Sequence, residues 1–352
     1  MERRVTIRDI ASALDLHYST ISLALRNDPR INAGTRARVQ EMAAQLGYRP
    51  DPMVRALSAY RTAQRSPTFH ATLAWLTDDR HSLYRNNYPF FGFFEGASQR
   101  AKELGYLLEE FPFRQSAMSH KRFAKMLLAR GISGILVAPL PLVRSRARIR
   151  MDWSPFSAVT IGASLAWPRL HSVGNDHYSM IQLAVRQAIK RGYHRIGFCL
   201  HKRTNERVDG ATVGSYLAEM MRRPRLPVIP PLILPSGSGR DDPRARAAIL
   251  QWMADHRPDL VMASVTPLLE WIAEFTGLSV PGELGTLSLN SAMETRQSGI
   301  YQNLHHVGRV AVEMLVEMIH RGERGIPPLQ HRMLLEGVWN EGETMRRQKD
   351  PA

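Results

Sequence analysis

The sequence predicts an α/β protein built of two unlike parts, a small all-helical unit followed by a larger body of parallel sheets. Three observations carry this expectation. Three stretches of helical periodicity crowd into the first fifty residues, and from about residue 70 strand-like apolar runs alternate with amphipathic helices. The 352 residues, 44% of them hydrophobic, also leave room for more than one buried core.

Thr6 stands three residues before Asp9 and opens RDIASALD, a capping box in which Asp replaces Glu. Ile7, Ile10, Ala11 and Leu14 then form one helical stripe. In the next segment, HYSTISLALRND (17–28), Ile21, Ala24 and Leu25 share an apolar face, whereas Tyr18, Ser19, Ser22 and Arg26 share the opposite one. Leu23 falls on that polar side, where packing does not call for it. A third helix starts at the N-cap Asn32, with Val39, Met42, Ala43 and Leu46 in phase and Gly47 placed as a left-handed stop. The tight link between the first two helices matches a helix-turn-helix unit.

Tyr48-Arg49-Pro50-Asp51-Pro52 breaks the helical pattern. A helix-capable segment, MVRALSAYR, follows, with Arg55, Arg61 and Arg65 keeping it basic and Pro67 closing it. Beyond it, strands are expected at 71–77, 134–139, 157–162, 195–200, 260–265 and 285–289, with helices near 93–105, 120–131, 178–192 and 267–277. Such alternation reads as βαβ units, long enough for two sheets. RLPVIPPLILP (225–235) reads as a proline-rich connection into a strand.

The net charge of +15 points to a polyanionic partner. Residues 1–65 hold eleven arginines against six carboxylates, a net +5, so the charge is spread and does not locate a nucleic-acid site. One cysteine, Cys199, rules out an intrachain disulfide framework. There is no 18-residue apolar run, and MERRVTIRDI lacks an apolar signal region, so a soluble cytoplasmic protein with no membrane role is expected. Nucleophile elbow, Walker loop, zinc spacing and kinase signature are all missing, and SGSGR (236–240) lacks the lysine context of a phosphate loop. His305-His306 has no second ligand pair, so neither metal nor cofactor is expected.

The segment VTIRDIASALDLHYSTISLALRNDPRINAGTRARVQEMAAQLGYRPDP resembles the headpiece of the lactose-repressor/galactose-repressor family, through its VTIxDIA opening, STIS, INAGTRARV and LGYRPDP. Looser matches follow in order: YPFFGFFEGA, RGISGILVAP, HSVGNDHYSM, ERVDGATVGSYLAEM and VGRVAVEMLVEMIHRG. They resemble that family's effector domain, which is similar to periplasmic sugar-binding proteins. The resemblance implies a helix-turn-helix headpiece over 1–49, a hinge helix and linker over 50–66, an effector-binding and dimerisation domain over 67–345, and a tail over 346–352. Within the effector domain it implies one parallel-sheet α/β subdomain of about 67–161 and 293–321, and a second of about 162–292 and 322–345.

In a helix-turn-helix protein the start of the second helix reaches base edges in the major groove. The resemblance puts Tyr18, Ser19 and Ser22 there. Leu23 stands where many members carry a longer polar side chain; it either touches a thymine methyl or packs internally, and it cannot pair with guanine. Thr6, Asn32 and Thr35 suit phosphate oxygens or plain N-capping, and Arg26 a phosphate or base edge. Leu57 matches the hinge leucine that wedges between base steps in that family, with a flexible basic linker as the other reading.

For the effector cleft the resemblance points to Phe90 and Phe91, which either flank a ligand or belong to a core. It also points to Arg207, a ligand contact or a surface arginine, and to Asp176, Gln302 and Asn290. Val265-Thr266 and Asn290-Ser291 replace carboxylate-bearing pairs common in the family, so acceptors often used on sugar hydroxyls are lost. RSRARIR (144–150) reads as a solvated face, with a secondary DNA contact as the other reading. The function implied is a homodimeric transcription regulator, a repressor, that binds a pseudo-palindromic double-stranded DNA operator. Its affinity would respond to a small-molecule effector, a sugar or another metabolite. An effector-independent architectural DNA binder and a sugar-modifying enzyme fused to a headpiece stand as alternatives.

Overall fold

A computed structural model describes residues 5–25, 28, 30–48, 71–77, 91–113, 118–140 and 147–347. The first three helices are α1 (Ile7–Leu14), α2 (Tyr18–Leu25) and α3 (Ala33–Gln45). Their capping chemistry is local. Thr6 and Asp9 close a reciprocal capping box on α1, and Asn32 Oδ1 accepts the Thr35 amide N–H at 2.7 Å to start α3. Gly47 takes φ +65° after the last turn, a conformation that costs glycine nothing. Ile10, Ile21, Ala24, Val39 and Ala43 form the buried core of this unit, with Ile7, Ala11, Leu14, Leu25 and Met42 packed around it. Leu46, expected in phase with that core, is instead 38% exposed, because it is the C-cap residue where the helix has already begun to unwind.

The body follows in chain order. Its first part runs β1 (Ala71–Thr77), α4 (Phe91–Glu103), β2 (Tyr106–Pro112), α5 (His120–Ala129), β3 (Gly134–Val137), β4 (Ala147–Arg148), β5 (Ser157–Ile161), β6 (Leu165–Trp167) and β7 (His171–Asn175). Next come α6 (His177–Lys190), β8 (Ile196–His201), α7 (Lys202–Arg207), α8 (Ala211–Met221), β9 (Leu232–Leu234), α9 (Pro243–His256) and β10 (Leu260–Ala263). The chain finishes with α10 (Thr266–Thr276), β11 (Gly285–Ser288), β12 (Gly299–Tyr301), α11 (Leu304–Arg321), β13 (Arg332–Leu335) and β14 (Val338–Asn340).

Two six-stranded sheets result, β13-β7-β5-β3-β1-β2 in the first lobe and β14-β12-β11-β10-β8-β9 in the second. Every pair in them is parallel except β12 with β14. Buried clusters lie on both faces of each sheet, as parallel sheets require. Because β7 and β13 belong to the first sheet and β12 to the second, the chain changes lobes near 176, 302–303 and 336–337. The expected subdomain limits at 161/162, 292/293 and 321/322 are therefore displaced by about ten to fifteen residues. The first displacement comes from HSVGN, a strand of the first sheet with buried His171, Ser172 and Asn175 that was not among the expected strands.

In the first lobe α11 lies across α4 with almost no separation. A Cβ at Gly96 would strike the His305 carbonyl, and one at Gly308 the Phe93 carbonyl. Glycine on both helices is what lets the two backbones meet.

Candidate functional sites: a presented helix and an interlobe cleft

On the headpiece, α2 buries Ile21 and Ala24 completely and leaves Tyr18 51% exposed. Ser19 is exposed beside it, its hydroxyl 2.8 Å from His17 Nδ1. Ser22 and Leu23 are half-buried, and Leu23 is not among the described side chains packed on the headpiece core. Thr6 and Asn32 are both exposed and both occupied in capping; Thr35 supplies the amide that Asn32 caps. Between α2 and α3, Arg30 grips Asp28 through Nε at 3.0 Å and Nη2 at 2.8 Å, and this hydrogen bonding holds the Asp28 carboxyl down at about 2. Arg26 and Leu57 lie outside the described residues, as does Phe90.

The second site is the cleft between the lobes, a cavity of about 170 Å³. Its first-lobe wall is Phe93, Pro139, Gly162, Ala163 and Ser164. Ser164 Oγ is already engaged, accepting the Leu140 amide N–H at 2.8 Å. The floor is made where the chain crosses between lobes. Asn175 Nδ2 donates to the Gln302 carbonyl at 2.7 Å, and Gln302 Nε2 donates to the Leu289 carbonyl at 2.6 Å. The second-lobe wall presents His177, Thr204, Arg207, Thr212, Ser264 and Asn290.

Of the residues expected at the cleft, Arg207, Asn290 and Gln302 line it. Asp176 does not; it is the N-cap of α6, its carboxylate accepting the Tyr178 and Ser179 amides and the Ser179 hydroxyl. Phe91 does not either. It is 37% exposed at the start of α4, and Phe93, two residues on, faces the cavity instead.

Sequence reasoning missed His177, Thr212 and Ser264. His177 Nδ1, Thr212 Oγ1 and Ser264 Oγ are shielded from solvent and have no hydrogen-bond partner. Burial pushes the His177 imidazole down to about 4 against the opposing pull of the Asp176 carboxylate, so the ring is neutral at physiological pH. None of the lining residues, among those described, is a carboxylate. No group of three or more His, Cys, Asp or Glu among the described residues could hold a metal ion.

Residues 6–51 match the family described as bacterial regulatory proteins, lacI family, and residues 185–343 the periplasmic binding protein-like domain. The two matches fall on the three-helix headpiece and on most of the second lobe together with α11 and β13 of the first. The chain belongs to the LacI family. Catabolite control protein A of Priestia megaterium is 21% identical over 346 residues, which span 94% of this chain and 97% of that protein. The HTH-type transcriptional repressor CytR of Escherichia coli (strain K12) is 26% identical over 199 residues, 56% of this chain and 53% of that one. Among solved structures, the transcriptional regulator CelR–cellobiose complex superposes with a TM-score of 0.57 at 18% identity, covering 97% of this chain and all of that one. The lac repressor dimer bound to operator and the anti-inducer ONPF gives 0.53 at 15% identity, over 98% and 100% of the two chains. LacI-family relatives of this kind are DNA-binding transcriptional regulators, and this chain shares their helix-turn-helix and two-lobed body. No described helix is long and apolar enough to cross a membrane.

Proposed function

We propose that this LacI-family chain is a ligand-responsive transcriptional repressor, not an enzyme, and that it acts in the cytoplasm on nucleoid DNA. The observation that carries the reading is the pairing of two sites on one chain. One is a helix that presents Tyr18, Ser19 and Ser22 beside a fully buried Ile21 and Ala24; the other is an interlobe cleft with unsatisfied polar atoms. A single headpiece reads only a half-site, so the operator is pseudo-palindromic and the protein a homodimer. Arg26 and the helix-start residues Thr6, Asn32 and Thr35 contact phosphates, which fix register. Leu23 touches a thymine methyl, an apolar form of readout. Leu57 wedges between base steps in the minor groove and couples operator binding to the separation of the two bodies. The effector, held by Arg207, Asn290 and Gln302, shifts that equilibrium by a coupling free energy of about 1–3 kcal/mol.

Binding-site selection followed by fluorescence anisotropy at fixed salt tests this. The expected result is a two-fold symmetric site bound at least ~10³-fold more tightly than random DNA, with Leu57→Ala losing specific but not non-specific affinity. Equal affinity for selected and random sequences would remove the reading. Leu23→Ala should change base preference at one symmetric pair of positions only.

A further inference from the structure

Strand β13 is the outer strand of the first sheet, and its far edge pairs with nothing among the described residues. Its ladder to β7 fixes what that free edge shows. The His331 carbonyl accepts the Ser172 amide N–H at 3.0 Å, and the Leu335 carbonyl accepts that of Asp176 at 2.8 Å. A parallel ladder uses every second residue of a strand, so the N–H and C=O groups of Arg332, Leu334 and Glu336 point away from β7. The side chains are apolar for so open an edge. Met333 is 43% exposed and Leu334 56%, with Leu329 exposed just before them. An edge of this kind is a template for another strand.

The charges say which strand. Arg332 and Glu336 are both exposed, neither has an ion pair among the described residues, and each stands two positions from Leu334. Edge charges ordinarily guard against pairing. Here they are symmetric in position and opposite in sign, which suits one partner, an identical strand running antiparallel. Centred on Leu334, that pairing sets Arg332 opposite the partner's Glu336 at both ends and Met333 opposite the partner's Leu335. The outward backbone groups of Arg332, Leu334 and Glu336 then all find partners, as hydrogen-bonded pairs. A slip of two residues would set Arg332 or Glu336 against Leu334 and lose the charge match. We propose that two copies of this chain associate through β13, antiparallel and two-fold about Leu334, so that their first-lobe sheets join edge to edge. The inference rests on this edge alone and not on the regulator reading.

The test reads self-association of the full chain without DNA, by sedimentation equilibrium and by cross-linking. Leu334→Cys should form a disulfide-linked dimer under mild oxidation, because the Cα atoms of such a pair lie about 5.5 Å apart. Cys199, the only cysteine in the sequence, is buried and gives no background. Arg332→Cys, which faces the partner's Glu336, should not cross-link. Arg332→Glu should weaken association about tenfold by setting like charges opposite each other twice, and adding Glu336→Arg should restore it. All three positions are exposed, so the variants should keep the wild-type Tm. A chain that stays monomeric overturns the proposal and leaves the edge to some other occupant. So does association that ignores Arg332→Glu while Leu334→Cys fails to cross-link, which places the contact elsewhere. Failure of the double variant to recover also overturns it, since charge matching would then not set the register. Operator binding is read on DNA, so none of these failures touches the regulator reading.

Discussion

The two lobes share a six-stranded, mainly parallel sheet with helices on both faces, yet they differ where they face each other. The first lobe is closed on itself. Its principal helices meet backbone to backbone at Gly96 and Gly308, and its cleft-facing Ser164 is satisfied by its own chain. In the second lobe three cleft-lining residues, His177, Thr212 and Ser264, each keep a buried side-chain polar atom without a hydrogen-bond partner. Similar architecture therefore leaves the two sides of the cleft different, a hydrogen-bonded serine on one and unpartnered polar atoms on the other. The contrast makes its strongest prediction at the helix crossing. Gly308→Val and Gly96→Val should each destabilise the protein by about 3 kcal/mol or more in urea unfolding, since the obstruction is backbone carbonyl and cannot rotate away. Gly214, on α8 of the second lobe with open space around it, should tolerate alanine with no loss.

In the second lobe the tight anchor is electrostatic. Arg191 at the end of α6 is buried; Nη1 donates to Gln187 Oε1 at 2.6 Å and Nη2 to both Glu341 oxygens at 2.8 and 2.6 Å, while the guanidinium lies 5.2 Å from the Trp339 ring centre. It ties the helix to the final strand. Arg191→Met should cost about 2 kcal/mol, less than a wholly buried pair, because Glu341 is exposed enough to regain water. A cost as large as that of Gly308→Val would erase the contrast between the lobes.

How much of this was legible in the sequence follows the same division between local and long-range causes. The headpiece was readable because its determinants sit three residues apart: Thr6 with Asp9, Asn32 with Thr35, Gly47 after the last turn. Central strands were readable as apolar runs, β5 and β10 buried along their length and β1 buried from Leu73 onward. Strand β7 was not, since its polar residues are satisfied by distant partners, His171 by Glu323 and by the His331 amide. Arg207, Asn290 and Gln302 were placed at the cleft directly, whereas two others were missed by one or two positions, Phe91 for Phe93 and Asp176 for its neighbour His177. Which of two neighbours faces a cavity depends on helix phase relative to the other lobe, and nothing local encodes that.

His177 offers a pH test confined to the second lobe. Its ring titrates near 4 in the folded chain and near 6.5 when unfolded. Between those values the unfolded state holds the extra proton, so the stability is fully present above about pH 6.5 and lost as pH falls toward 4. His177→Gln should flatten that acid limb by on the order of 1–2 kcal/mol after screening, measured as urea midpoints across pH 4–7. An unchanged limb would mean that the ring is solvated and not part of a dry wall.

The smallest effect separates the lobes most cleanly, because it compares the same substitution on opposite walls of one cavity. Ser164→Ala leaves the buried Leu140 amide without its acceptor and should cost about 1–2 kcal/mol. Ser264→Ala removes an oxygen that has no partner and should cost nothing, or stabilise slightly, in the unliganded protein. Parallel urea titrations of the two variants are sufficient. Equal costs would mean that both hydroxyls are structural, and the asymmetry between the two sides of the cleft would then have no basis in the serines. A cost at Ser164 alone is what a hydrogen-bonded serine, facing an unpartnered one, requires.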